Sequence, residues 1–266
     1  DGYPGTYLSF KTRLSRWTRG DWQIIRWLRG KIKGKDGKYK PNPLNLISKY
    51  KTLNNLVKSV FAPVAFALII FLSIVDVVYN IKVWPFVTIA ILALIIPSVM
   101  EMVNRIIYKK DGEKGQKTFY KTVSGVKASL IRAVLEIGTL PDKAFAMLSS
   151  ICKTIYRMCK SKKHLLEWTT AEEAELNTKT DMFSYYRSMW ANVLAGAVLL
   201  ILLYRNIWGV ILGILWLITP GVIKYVGNKI EEKPAIQYLS EEEQKYLKGI
   251  GEKTWGFFKT YLTEDV

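Results

Sequence analysis

Between residues 13 and 29 guanidiniums and indoles alternate: Arg13, Arg16, Trp17, Arg19, Asp21, Trp22 and Gln23, then Arg26, Trp27 and Arg29. Arginine presents a planar fork of donors that matches phosphate, and an indole offers a broad apolar face on which a pyranose ring stacks. Together they suit a donor carrying a diphosphate and an acceptor made of sugars. The same residues also suit an Arg/Trp-rich interfacial helix, in which arginines snorkel and indoles sit at headgroup level without any substrate. Residue types and spacing leave both readings open.

Little else in the chain offers reactive chemistry. Cys152 and Cys159 lie seven residues apart in a helical pattern, about 10 Å between Cα atoms, so no disulfide is expected. His164 is the only histidine, and without a Cys/His cluster no metal ligands are assigned. It reads as an ordinary polar-face residue. Glu241-Glu242-Glu243 behind Ser240 predicts a helix start, with Ser240 and Glu243 forming a capping box.

The elements that must position the cluster are apolar. Of 266 residues half are hydrophobic, yet the formal charge is +17, so charge and hydrophobicity are segregated along the chain. Such segregation excludes disorder and disfavours a single soluble globule. Charge-free runs occupy residues 59–75, 83–100, 188–204 and 206–223, each close to the ~20 residues that cross a bilayer. Buried helices of a soluble protein are the alternative. The expected fold is an all-α membrane protein, four transmembrane helices in two tight hairpins with cytoplasmic amphipathic or interfacial helices. Tyr79, Trp84, Trp190, Tyr204 and Trp208 fall near the span ends, where amphipathic rings favour the interface.

Residues 1–55 hold 13 Lys or Arg and residues 104–188 hold 16, whereas each short connection holds one. The positive-inside rule then sets the long segments and both termini in the cytoplasm of a multi-pass protein. A nucleic-acid partner is not expected, because the basic residues flank bilayer spans and form no nucleic-acid module. Residues 118–163 alternate apolar and basic side chains at helical spacing. They predict an amphipathic helix pair broken near Gly138-Thr139-Leu140-Pro141, lying on the membrane or packed on a soluble domain. Lys49, Lys51 and Lys58 predict a further interfacial approach to the first span. The organisation expected is therefore 1–55, 56–103 (hairpin 1), 104–187 (amphipathic region), 188–226 (hairpin 2) and 227–266 (linker helix). The opening Asp1-Gly2-Tyr3-Pro4-Gly5 has no initiator Met and no signal-peptide pattern, so the chain is expected to be an internal fragment.

Arg16-Trp17 resembles the end of the Gln-x-x-Arg-Trp motif of processive, membrane-embedded glycosyltransferases. The longer landmarks resemble cyclic β-1,2-glucan synthases: Tyr3-Pro4, Arg13-x-x-Arg16-Trp17-x-Arg19-Gly20-Asp21-Trp22-Gln23, Leu166-Glu167-Trp168-x-Thr170-Ala171-x-x-Ala174-Glu175 and Thr254-Trp255-x-Phe257-Phe258. Their order and spacing cover nearly the whole chain.

The resemblance implies a parent enzyme of the bacterial inner membrane that uses UDP-glucose to extend a β-1,2-linked glucan acceptor, later cyclised. It implies substrate-binding roles in the 13–23 string: Trp17 stacks on the acceptor terminus, Arg16 contacts the donor diphosphate, and Arg13 stands where the motif usually has glutamine. Trp22 and Gln23 line the acceptor path, with core packing as the alternative for Trp22; Arg19 and Asp21 either touch substrate or form a structural pair. Such a transferase also needs an Asp-x-Asp pair for Mg or Mn and a general base. The sequence contains no Asp-x-Asp. The donor domain, its metal and all catalytic groups are therefore expected upstream, leaving this chain without a cofactor and inactive alone. The competing reading is a non-enzymatic membrane scaffold or transporter half anchored by the Arg/Trp cluster.

Overall fold

The computed structural model describes residues 4–34, 37–107, 116–165, 179–203, 206–228 and 239–261. Thr6 opens helix α1 (Tyr7–Gln23): its hydroxyl accepts from the Ser9 backbone N–H, and the Ser9 side chain accepts from the Thr6 N–H. A 3-10 turn (Ile25–Leu28) leads into a two-stranded antiparallel ribbon, β1 (Lys31–Lys33) and β2 (Tyr39–Pro41), with Ile32 opposite Lys40. This ribbon is an addition to the expected all-helical plan. Its signal was Asp36-Gly37 between two short basic runs, and Gly37 takes the left-handed φ of +75° that the reversal needs.

Asn45 caps helix α2 (Leu46–Tyr79), accepting from the Ser48 N–H at 2.8 Å. Its 34 residues run through the boundary expected at 55/56, so the basic approach and the first span form one rod. Asn80, at φ 54°, ends it, and four residues later α3 (Trp84–Ile107) begins. Pro63 and Pro97 sit inside these helices. Then follow α4 (Gln116–Gly138), α5 (Leu140–Tyr156), a π turn (Arg157–Ser161), α6 (Met182–Ser188), α7 (Trp190–Leu202) and α8 (Ile207–Asn228). The interruption at Thr139 falls where Gly138-Thr139-Leu140-Pro141 predicted it; the side chains of residues 118–125 lie outside the described residues.

Two helices are long and apolar enough to cross a membrane, Leu46–Tyr79 and Ile207–Gly227. The expectation of four independent spans needs correction to two, or three if the bent pair in the third run counts as one. Met182–Ser188 and Trp190–Leu202 meet at a 71° bend, so they make at most one broken span. Counting charge-free residues is blind to this, because Met189 is apolar but breaks the helical path, and the 13-residue α7 covers only ~20 Å. Trp84–Met100 is a shorter apolar helix. Tyr204 and Arg205, in the second expected hairpin connection, lie outside the described residues. Phe71, Ile74, Ile89, Leu92, Ile211, Ile214 and Ile218 point outward, an apolar exterior that suits lipid rather than water.

All four apolar segments share one core, in which Ile69 of α2, Val87 of α3, Leu199 of α7 and Trp216 of α8 are fully buried around Leu140. α7 and α8 pair tightly because Gly196 and Gly213 face each other: a Cβ on Gly196 would lie 2.7 Å from the Gly213 carbonyl oxygen. α5 is the hub. It packs on α1, α2 and α7, and its entry is clamped by polar groups. The Asn192 amide donates to the Gly138 and Trp216 carbonyls at 2.6 and 3.3 Å and accepts from the Asp142 N–H at 2.9 Å, while the Trp216 indole donates to the Ile137 carbonyl at 3.0 Å. These bonds satisfy backbone groups that the α4–α5 break would otherwise bury unpaired.

Residues 231–266 form a separate unit built on α9 (Glu241–Tyr261). The capping box is present: the Glu243 carboxylate accepts from the Ser240 N–H and hydroxyl at 2.8 and 2.9 Å, and the Glu243 N–H donates to the Ser240 hydroxyl at 3.3 Å. These bonds hold the Glu243 carboxyl below its ordinary value.

Asn192→Ala leaves at least two buried backbone groups without partners. It is expected to cost about 2–3 kcal/mol, read as an apparent thermal midpoint several degrees lower in detergent. Gly196→Val is expected to spread α7 from α8 and to abolish a cooperative transition in the same measurement.

Candidate functional site

Helix α1 is amphipathic in an unusual sense: both of its long flanks are polar and each borders a cleft. On one flank Arg16, Trp17, Thr18, Gly20 and Asp21 face Asn55, Lys58 and Ser59 of α2, with Met147 of α5 at the base. The space enclosed is about 620 Å³, within the ~300–1,000 Å³ usual for small-molecule sites. Trp17 is 48% exposed here. An indole exposed in this position can receive a stacking ring or sit at the headgroup layer.

The residues of the 13–23 string take different places. Arg13 is one helical turn before Trp17, and its guanidinium carbon sits 4.3 Å from the centre of the indole, a cation–π contact between neighbours on one face of the helix. Trp22 is an anchor: its indole N–H donates to the Ser59 hydroxyl at 2.9 Å, and that hydroxyl donates to the Leu56 carbonyl at 2.7 Å. Asp21 accepts from the Asn55 amide at 3.2 Å. The Gln23 amide donates to the Leu165 carbonyl at 2.7 Å, tying the end of α1 to the segment after α5. Arg19 lines the other cleft, between α1, α5 and α6. Trp17, Arg16 and Asp21 are thus brought together; Arg19 is on the opposite flank, and Trp22 and Gln23 hold the helix.

Motif spacing does not reveal Asn55, Ser59 or Met147 as lining residues, and it marks Lys58 only as an interfacial cation. The polar pair Asn54-Asn55 at the mouth of an apolar run was a signal for Asn55. Met147 had none, since it arrives from 130 residues beyond Trp17. His164 is exposed at φ 57°, and its carbonyl accepts from the Arg157 guanidinium at 2.7 Å. Cys152 and Cys159 are exposed free thiols. Among the described residues, no three His, Cys, Asp or Glu side chains converge. The landmarks Tyr3 and Leu166–Glu175 lie outside the described residues.

What fixes α1 in place is a buried carboxylate. Lys11 donates from its ammonium to Asp142 Oδ1 and to the Ser188 carbonyl, both at 2.6 Å, and the Tyr7 hydroxyl donates to Asp142 Oδ2 at 3.1 Å. Burial raises the Asp142 carboxyl above its ordinary value, with the Lys11 charge and the hydrogen bonds of Lys11 and Tyr7 pulling the other way. Burial and the adjacent Asp142 push the Tyr7 phenol well above its ordinary value. The Lys11 ammonium therefore joins α1 to Asp142 of α5 and to the end of α6.

No protein-family model matches the sequence. The chain is 23% identical over 275 aligned positions to cyclic beta-(1,2)-glucan synthase NdvB of Rhizobium meliloti (strain 1021), a match that covers 100% of this chain and 9% of that protein. The chain thus spans about a tenth of the length of this curated relative. The similarity read from the landmark motifs is to the same kind of enzyme.

Because the folded carboxyl of Asp142 is raised, the folded chain binds a proton that the unfolded chain has already released. Its contribution to stability is therefore greatest below the ordinary value of 3.8 and falls as pH rises through the raised one. Asp142→Asn is expected to flatten that decline, measured as the thermal midpoint in detergent from about pH 4 to neutrality.

Proposed function

We propose that this chain is the membrane-embedded portion of a UDP-glucose-dependent glycosyltransferase that synthesises a β-1,2-linked glucan. The cleft containing Trp17 would form its acceptor wall. The observation that carries the reading is the half-exposed Trp17 indole beside Arg16 and Lys58, in a chain similar along its whole length to a cyclic glucan synthase. A pyranose presents an apolar face of C–H groups and an equatorial ring of hydroxyls. The indole receives the first, and Asp21 and Asn55 are within the cleft to bond the second.

In this reading Arg16, with Lys58 opposite, takes up charge from the donor diphosphate as the bond to glucose breaks, when the leaving group becomes most anionic. Arg13 orients the indole by stacking on it, which gives a role to the arginine that replaces the usual glutamine. Trp22 and Gln23 keep α1 in register rather than touching sugar. Arg19 belongs to the other flank. We assign the general base, the Asp-x-Asp pair and a divalent ion, Mg or Mn, to a domain outside this chain, so the chain alone is inactive.

The same proposal includes the bilayer arrangement. Two hairpins, α2–α3 and α6/α7–α8, would cross the bacterial inner membrane, with the bent α6/α7 pair as one broken span. The basic segments and both ends would face the cytoplasm, where the nucleotide sugar is. Residues 1–55 would close the transferase domain, residues 104–187 would lie under the hairpins, and residues 227–266 would lead onward. The cleft would then open at the cytoplasmic mouth of the helices.

Trp17→Ala in the full-length protein is expected to lower glucan synthesis by ~100-fold or more, the scale of a mispositioned acceptor, measured as incorporation of labelled glucose in membranes containing equal amounts of protein. Trp17→Phe, which retains stacking, should recover much of it, and Trp27→Ala, outside the cleft, should leave synthesis intact. Undiminished synthesis by Trp17→Ala would favour the scaffold reading.

A further inference from the structure

The second flank of α1 holds a cleft of about 730 Å³ between α1, α5 and α6, apart from the Trp17 cleft. We propose that it holds the phosphodiester headgroup of an anionic membrane lipid, whose acyl chains lie along α7.

The lining has the composition of an oxyanion site. Arg19, Lys153 and Lys179 supply positive charge, and Thr12, Ser15 and Ser149 supply hydroxyl donors. No carboxylate is among the described residues that line it. Among the described residues, two acids close to the cleft are held by other partners. Asp142 is turned to Lys11 and Tyr7, and Asp181 accepts from the Ser184 N–H and hydroxyl at 3.0 and 2.6 Å. Cations and hydroxyls converging on one volume recognise phosphate, which accepts from both at once.

Its rim selects the source of that phosphate. Phe145 lines the cleft and meets Trp190 edge-on, with ring centres 4.6 Å apart and planes at 74°. Trp190 is the first residue of the apolar helix α7, which carries Leu194 and Ile201 on its exposed surface. A basic, hydroxyl-lined cavity therefore meets an apolar, outward-facing helix at one aromatic edge. A free phosphate has no use for that edge, whereas a lipid fills both sides of it. This inference needs the chain to sit in a bilayer but does not depend on glucan synthesis, so failure of the Trp17 experiment leaves it standing.

The test titrates the full-length protein, purified in detergent, with dioctanoyl phosphatidylglycerol and reads bound lipid by native mass spectrometry. Saturable binding is expected, with dioctanoyl phosphatidylcholine binding at least about 5-fold more weakly. Lys153→Gln/Lys179→Gln should raise Kd by ~25-fold, about 5-fold per lysine, and Ser149→Asp should weaken binding independently. The pair Lys31→Gln/Lys33→Gln, on β1, should leave Kd unchanged. Equal weakening by that control pair, or no preference for phosphatidylglycerol over phosphatidylcholine, would overturn the proposal. So would inorganic phosphate or glycerol phosphate binding as tightly as the lipid, which would reassign the cleft to a soluble phosphate.

Discussion

The architecture depends on the burial of Asp142 in the first turn of α5. A carboxylate out of water is tolerated only where charge and hydrogen bonds replace its hydration. Lys11 and Tyr7 supply both from α1, and Asn192 binds the same residue's backbone N–H from α7. Three helices distant in sequence are thereby held at one point. Removing any partner would leave a buried polar group exposed to an apolar core, which makes the junction selective for one packing.

Everything around the candidate site follows from that fixture. Lys11 and Tyr7 pin the start of α1, while Trp22 on Ser59 and Gln23 on the Leu165 carbonyl pin its end. With both ends fixed, α1 packs on α5 and α2 while its flanks border the two clefts. Arg13 then completes the arrangement by holding the indole of Trp17. The Trp17 cleft is thus held by groups at both ends of α1 that do not line it.

Two clefts of different composition flank a single basic helix. One has an indole, two cations, the Asp21 carboxylate and neutral polar groups, a combination that in the proposed reading receives a sugar beside a diphosphate. The other has cations, hydroxyls and an aromatic rim against an apolar helix, a combination fitted to an amphipathic anion. Helical periodicity produces this split: Thr12, Ser15 and Arg19 recur every three to four residues on one side, and Leu14, Trp17 and Asp21 recur on the other.

The sequence by itself determined the helical class, the position of the apolar runs, the break at Gly138-Thr139-Leu140-Pro141 and the Ser240 cap. Each is a local property, set by hydrophobic length, by proline and glycine, or by a side chain's reach along its own helix. Three things only the tertiary structure decided: the bend at Met189, the sorting of Arg19 away from Trp17, and the partnership of Asp142 with Lys11. The bend has no signature in charge or hydropathy. The other two depend on which neighbours α1 acquires, and residues 131 positions apart carry no pattern that announces their contact. Local composition made the elements, and the cost of burying unpaired polar groups chose how they met.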